Sequence, residues 1–233
     1  MIVADNFNEI YLAVLAKLRY EPDYIVDDTN LFDKERVSGF RELNGFQFKL
    51  TDIKNNLIES EARGFKIGYA TDFFNYVLNG DDEGVLKNPK ATEYLKEFKG
   101  RNTQYGPRLH KQLDAMVKEL KRDRGSRRGT VMILEAGDQE IFEAKSTGEC
   151  IIEYPCTNSL TFSIRDNKLN LVSNMRSQSA ALVMPYDIFN WTSLMQVVAD
   201  ILEVECGTLT HQVASLHYFN SEAPLVEKIL CES

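Results

Sequence analysis

Cysteine is scarce here, and its scatter excludes several chemistries. The chain of 233 residues holds four cysteines (Cys150, Cys156, Cys206 and Cys231) and three histidines. None of the cysteines forms a CxxC pair, and no Cys/His grouping has the spacing of a metal site. The expectation is therefore a cytoplasmic protein with reduced thiols and no metal centre. Long apolar runs are also missing. No stretch approaches the roughly 20 apolar residues of a membrane span. The opening MIVADNFNEI lacks the basic and apolar regions of a secretion signal. Positive charge is not in excess either: the formal net charge is −8. That argues against a general nucleic-acid binder, whose phosphate contacts need a basic surface, but leaves room for a pocket holding one phosphate. Repeats and low-complexity linkers are absent. What is present is ordinary globular composition, 43% apolar and 27% charged, in a chain long enough to bury a substantial core unaided.

Periodicity places the elements. Residues 7–19 put Ile10, Val14, Leu15 and Leu18 on one helical face. Strands are predicted near 23–26 and 45–50. Residues 68–79 read as a buried helix stopped by Gly80, and 80–100 as a charged exposed stretch. A second helix spans 107–121, where Leu109, Leu113, Met116, Val117 and Leu120 align. A basic turn follows (Lys121 to Gly129), then a strand over 130–134. Segments 149–154, 158–165 and 168–175 read as strands, the last two joined at Asp166-Asn167, a tight-turn signal. The strongest helix is predicted over 188–204, with Ile188, Trp191, Met195, Val198 and Leu202 in phase, and a last strand over 209–218. A sheet-rich middle with flanking helices is an α+β pattern.

Several residues are chemically suggestive. Tyr154-Pro155-Cys156-Thr157-Asn158 sets a cysteine at a strand edge, where side chains reach a cleft. A thiolate near positive charge is a strong nucleophile, although this segment alone fits a buried structural thiol better. Arg176-Ser177 and Ser126-Arg127-Arg128 suit an anion such as phosphate. Taken singly, each is more often a solvated surface charge. Asp187 opens the strongest helix, where aspartate is a common N-cap. His217 lies in an apolar run and fits a satisfied core histidine.

Their order and spacing say more. Tyr105-Gly106, Ser126-Arg127-Arg128, Pro155-Cys156, Arg176-Ser177, a polar residue eleven positions after that arginine, and His217 on a late strand together resemble the thymidylate synthase family, from about Gln104 to Phe219. Within it, Cys156-Thr157-Asn158, Ile164-Arg165-Asp166, Asn174-Met175-Arg176-Ser177 and Asp187 look like the deoxycytidylate hydroxymethylases. The family reads uracil with an asparagine at the Asp187 position. Cytosine presents the reverse pattern, an N4 donor and an N3 acceptor, which a carboxyl group meets by accepting from N4 and, when protonated, donating to N3.

The resemblance implies an α+β thymidylate synthase-like single domain over residues 1–233, a mixed β-sheet with flanking helices in a sheet-mediated homodimer. It implies a pyrimidine nucleoside monophosphate substrate and 5,10-methylenetetrahydrofolate as cofactor. Cys156 would add to C6 of the base, with Tyr105 lining the pocket near the reacting carbon and Asp187 at the base edge. Asn158 would help orient the base, Arg176 and Ser177 would hold the phosphate, and His217 would contact the sugar. Arg127 and Arg128 would reach the phosphate of the neighbouring subunit. C5-methylation of dUMP or dCMP, and a non-catalytic nucleotide-binding protein on the same fold, stay open as alternatives.

Departures concentrate on the folate side. Phe73 stands where the family has a glutamate, with Asp72 next to it. Ser179 replaces an aspartate, and Phe219 replaces a tyrosine that contacts the sugar. The early phosphate-loop arginine aligns with Asp28, leaving Arg36 and Arg41 as substitutes, and the chain runs only a short way past His217.

Overall fold

A computed structural model describes residues 1–27, 39–80, 87, 105–140 and 154–232. Helix α1 (Phe7–Tyr20) forms where the periodicity predicts it. The Asn6 side chain caps its start, accepting from the Asn8 amide at 2.7 Å. Ile10, Val14, Leu15 and Leu18 are all fully buried, against the sheet and the last helix, α5 (Ala223–Cys231).

Seven strands are found among the described residues: β1 (Ile2–Ala4), β2 (Tyr24–Val26), β3 (Phe40–Leu50), β4 (Thr130–Met132), β5 (Thr157–Arg165), β6 (Lys168–Ser179) and β7 (Glu205–Phe219). They form one mixed sheet in the order β1-β3-β7-β6-β5-β4, with β2 paired to β3. β5 and β6 make the predicted hairpin. Arg165 pairs with Lys168, and Asp166 and Asn167 take φ of 51° and 59°, the left-handed pair that a two-residue turn needs. β6 and β7 run parallel, so the chain must cross over between them. Helix α4 (Met184–Leu202) makes the crossover and packs on both strands.

Strand lengths depart from the local pattern because pairing, not local hydrophobicity, sets them. β3 starts at Phe40 rather than 45, since Phe40–Glu42 are laddered to β7 on one side and to β2 on the other. β6 runs on from 175 to Ser179 along β7, and β7 itself covers Glu205–Phe219 rather than 209–218. β4 ends early, at Met132. The amides of Ile133 and Leu134 turn to the Asn158 carbonyl at 2.9 and 3.1 Å instead of continuing the ladder. Of the strand predicted at 149–154, residues 149–153 lie outside the described residues, and Tyr154 is not in a strand. Most of 80–100 is likewise outside them.

The helices differ at their starts. α4 begins at Met184, not 188, because Pro185 in its first turn already holds helical φ, and it closes at Glu203 with φ 53°. Val183 is the N-cap, so the capping role considered for Asp187 is wrong: that residue lies inside the first turn. α2 (Ile67–Leu78) stops at Gly80, φ 71°, as predicted. It is not a buried helix, however. Only Ala70, Asp72 and Val77 are buried, because one side packs on α4 and on α3 (Tyr105–Arg122) while the other stays open. No helix among the described residues is long and apolar enough to cross a membrane.

The basic turn closes tightly on β5. A Cβ on Gly129 would stand 2.4 Å from the Phe162 carbonyl oxygen, so only glycine fits there. The Phe162 amide donates to Gly129 O at 2.7 Å, and its ring is wholly buried. Phe162→Ala should therefore cost about 3–5 kcal/mol of stability, read as a lower denaturation midpoint.

Candidate active site

β5 begins, β6 and β7 end, and α4 starts at the same end of the sheet. Four elements thus deliver Cys156, Arg176, His217 and Asp187 to one place, and α3 brings Tyr105 to it. Cys156 sits just before β5, with its carbonyl accepting from the Arg176 amide at 2.8 Å. The Arg176 guanidinium is anchored by the backbone of the cysteine segment. Nε donates to Pro155 O at 2.9 Å and Nη2 to Tyr154 O at 2.7 Å, while the cation lies 4.9 Å from the centre of the Tyr154 ring. Nη2 also comes within 3.6 Å of Cys156 Sγ. A cation fixed against a sulfur favours the nucleophilic thiolate.

Tyr105 braces the same segment. Its hydroxyl accepts from the Thr157 amide at 3.0 Å and donates to Thr157 Oγ1 at 3.3 Å. Burial pushes its pKa far up, with a further push from the charges of Cys156 and Asp187, so the phenol stays protonated. Its ring stacks on Trp191 at 6.3 Å. Trp191 lies one helical turn beyond Asp187, on the same face of α4.

The Asp187 carboxyl is desolvated, which raises its pKa to about 7, against the opposing pull of a hydrogen bond from Gln178. Gln178 Nε2 donates to Oδ2 at 2.8 Å. A desolvated carboxyl group whose pKa is raised toward neutrality is the kind of perturbation that marks catalytic sites.

Asn158 is the extra residue of a β-bulge. Thr157 pairs with Met175 and Ser159 with Asn174, leaving Asn158 unmatched. Its Oδ1 is buried with no hydrogen-bond partner among the described residues, an acceptor that a ligand donor would satisfy. His217 packs edge-on against Phe40 and Phe219, ring centres 5.8 and 5.0 Å away. Burial lowers its pKa, and the Arg176 charge lowers it further, so the imidazole is neutral. Ser177 follows Arg176 on β6, paired with Ser215.

Arg127 and Arg128 are not part of this cluster within one chain. Arg127 lines a concavity of about 630 Å³ with Arg124, Arg165 and Asn167 at the hairpin end of β5. At about 3.3 Å per residue, that is roughly 25 Å along the strand from Cys156. Arg128 is 81% exposed at its side chain and faces Glu119 at 3.9 Å.

The departures acquire a geometry. Asp72 is 7% exposed and accepts from the Lys87 amide at 3.0 Å, while Phe73 stacks between Tyr69 and Tyr76. Of the two neighbours, the acidic one is the buried one. Glu222, just past the end of β7, has a carboxyl that burial pushes up and that Ser179 pulls down, so a carboxyl group lies within reach of Ser179. Arg41 donates to Arg19 O at 3.1 Å, and Asp28 and Arg36 lie outside the described residues. Sequence reasoning missed Thr157, Gln178 and Trp191. The available signal was polar or aromatic side chains interrupting the apolar positions next to Cys156, Arg176 and Asp187.

A cysteine held by a guanidinium, a desolvated carboxyl and a bulged asparagine at one sheet end have the makings of a covalent-catalysis site. Comparison with known proteins agrees on the lineage. The family model described as thymidylate synthase matches residues 87–232, and the chain belongs to the thymidylate synthase family. A putative thymidylate synthase of Methanosarcina mazei is 28% identical over 221 residues, covering 86% of this chain and 97% of that protein. The deoxycytidylate 5-hydroxymethyltransferase of Enterobacteria phage T4 is 25% identical over 221 residues, covering 89% and 84%. A putative thymidylate synthase of Methanosarcina barkeri is 28% identical over 161 residues, covering 64% and 70%. Enzymes of this family transfer one-carbon units to pyrimidine nucleotides and use methylenetetrahydrofolate.

Proposed function

We propose that the protein is a (deoxy)cytidylate 5-hydroxymethyltransferase. The observation that carries this reading is the Asp187 carboxyl, desolvated with its pKa raised to about 7 and within the electrostatic reach of Tyr105, which Cys156 also reaches. A neutral carboxyl offers one donor and one acceptor, the complement of cytosine's N3 and N4. Cys156 thiolate, favoured by Arg176, adds to C6, and Asp187 gives its proton to N3 as negative charge reaches it. C5 becomes nucleophilic as a result. Arg176 keeps both Nη1 hydrogens free of partners among the described residues, and with Ser177 it holds the phosphate. His217 contacts the sugar, and Asn158 Oδ1 takes a donor from the base. Arg127 and Arg128, remote from their own Cys156, serve the phosphate of the neighbouring subunit in a homodimer.

The residues around Asp187 fit 5,10-methylenetetrahydrofolate. Trp191 Nε1 and Asn190 Oδ1 are buried without partners among the described residues, and Tyr186 and Phe65 stack at 4.7 Å next to Asp187, so flat aromatic faces and open polar atoms occur together. When bound, the folate supplies the one-carbon unit that becomes the C5 substituent. Asn190, Trp191 and Tyr186 would hold it.

The test is isotope exchange. Protein given dCMP or CMP carrying deuterium at C5, with methylenetetrahydrofolate, should release the label to water and yield the hydroxymethyl nucleotide by mass spectrometry. Retention of the label in every cytosine and uracil nucleotide would overturn the reading. A methyl product would place the protein with the C5-methyltransferases.

A further inference from the structure

β6 and β7 bury a row of polar side chains that the reaction outlined above leaves without a task. Ser173 and His211 are fully buried and Gln178 is 2% exposed. They are joined end to end. Ser173 Oγ is 2.5 Å from His211 Nδ1, His211 Nε2 is 2.9 Å from Gln178 Oε1, and Gln178 Nε2 is 2.8 Å from Asp187 Oδ2. The row therefore ends on the carboxyl group proposed to meet the base.

Each link has a direction. Gln178 Nε2 also lies 3.2 Å from Met175 Sδ. Sulfur is an acceptor, so the amide nitrogen belongs on that side and the amide oxygen faces His211. His211 must then donate from Nε2, leaving Nδ1 bare to accept the Ser173 hydroxyl. Burial keeps the ring neutral, lowering its pKa to about 3, and Phe48 packs on it at 5.0 Å. Turning the Gln178 amide over would set two donors or two acceptors against each other at the histidine. It would require the other tautomer, with Nδ1–H donating to the Ser173 oxygen, and would lose the bond to Met175 Sδ.

We infer that Gln178 is a positioning residue that commits Asp187 Oδ2 to accepting and leaves Oδ1 as the seat of any proton, and that this lock sets discrimination between cytosine and uracil. The inference rests on the reading of Asp187 as the base-contacting residue. With Oδ2 accepting from Gln178, the acid presents a donor at Oδ1 and a remaining lone pair at Oδ2. With Oδ1 toward N3, that order fits cytosine. Uracil needs an acceptor opposite N3–H and a donor opposite O4, hence a proton on Oδ2, whose hydroxyl oxygen accepts the Gln178 N–H less well than a carbonyl oxygen does. Without the lock, the proton can sit on either oxygen and either base is met.

Binding of dCMP and dUMP to the full chain, measured by calorimetry, tests this. Gln178→Met keeps the volume and removes the donor, and its preference for dCMP should fall by roughly ten- to hundredfold. Gln178→Glu, an acceptor at the same place, should turn the site against dCMP, and it guards against a misfolded methionine variant. Nitrogen NMR of the wild type should find His211 protonated at Nε2 and bare at Nδ1, a signature that a merely structural role would not require. A proton on Nδ1, or unchanged preference in folded variants of a discriminating wild type, overturns the role of Gln178 alone. A wild type that binds both nucleotides equally defeats the reading of Asp187, and this inference falls with it.

Discussion

Cys156→Ser is expected to lower turnover by about a thousandfold or more while nucleotide affinity changes little. Addition to C6 needs an anionic nucleophile, and a serine hydroxyl ionises far less readily than a thiol beside the Arg176 cation. The sulfur is not what holds the site together. Arg176 is fixed by the carbonyls of Tyr154 and Pro155 and by its own amide bond to Cys156 O, and Tyr105 grips Thr157. None of these bonds uses the thiol, so the variant keeps its phosphate and base contacts. Calorimetry with dCMP and a mass-based product assay separate the two effects. Turnover retained by the serine variant would return Cys156 to the structural role that its segment alone suggests.

Much of this site was legible in the sequence because its residues lie at element ends, where spacing survives folding. Cys156 precedes β5, Arg176 lies near the end of β6, Asp187 lies in the first turn of α4 and His217 near the end of β7. Fixed strand and crossover lengths bring those ends together, so the intervals along the chain carry the geometry. The helical face of α1 was legible for a similar reason: periodicity is local, and Ile10, Val14, Leu15 and Leu18 are buried as it requires.

What stayed hidden depends on partners far away in the chain. The polar stretch at the start of β3 is a strand only because β7 and β2 flank it. Ser173, Gln178 and His211 look like solvent-facing strand positions until the assembled fold buries them, and only then does their polarity demand a network. The carboxyl group beside Ser179 comes from Glu222, which no local pattern ties to that strand. Arg127 and Arg128 illustrate the reverse case. Their motif was readable, but their distance from Cys156 within one chain makes a phosphate role depend on a second copy.

Asp187→Asn should remove a pH limb without changing the preferred base. In the wild type the acid titrates near 7 because burial opposes its charge. The protonated form needed by N3 prevails below that pH and falls tenfold per unit above it, so turnover on a cytosine nucleotide should decline as pH rises through about 7. Asparagine donates to N3 at every pH but delivers no proton, so the limb should flatten and the rate at pH 6 should drop by about a hundredfold or more. Stability follows the same sign. A carboxyl whose pKa is raised by folding contributes stability below its unfolded value, and that contribution is lost as pH rises through about 7. The thermal midpoint of the asparagine variant should therefore gain on the wild type between pH 4 and pH 8. Base choice follows the amide's orientation. Gln178 Nε2 holds the asparagine oxygen where Oδ2 was, leaving the NH2 toward N3, which is still the cytosine order. Adding Gln178→Glu places an acceptor there, turns the amide over and presents the uracil order. The single variant should keep its preference for dCMP and the double variant should prefer dUMP. A single variant that already prefers dUMP would show that the amide turns freely and that Gln178 exerts no hold on it.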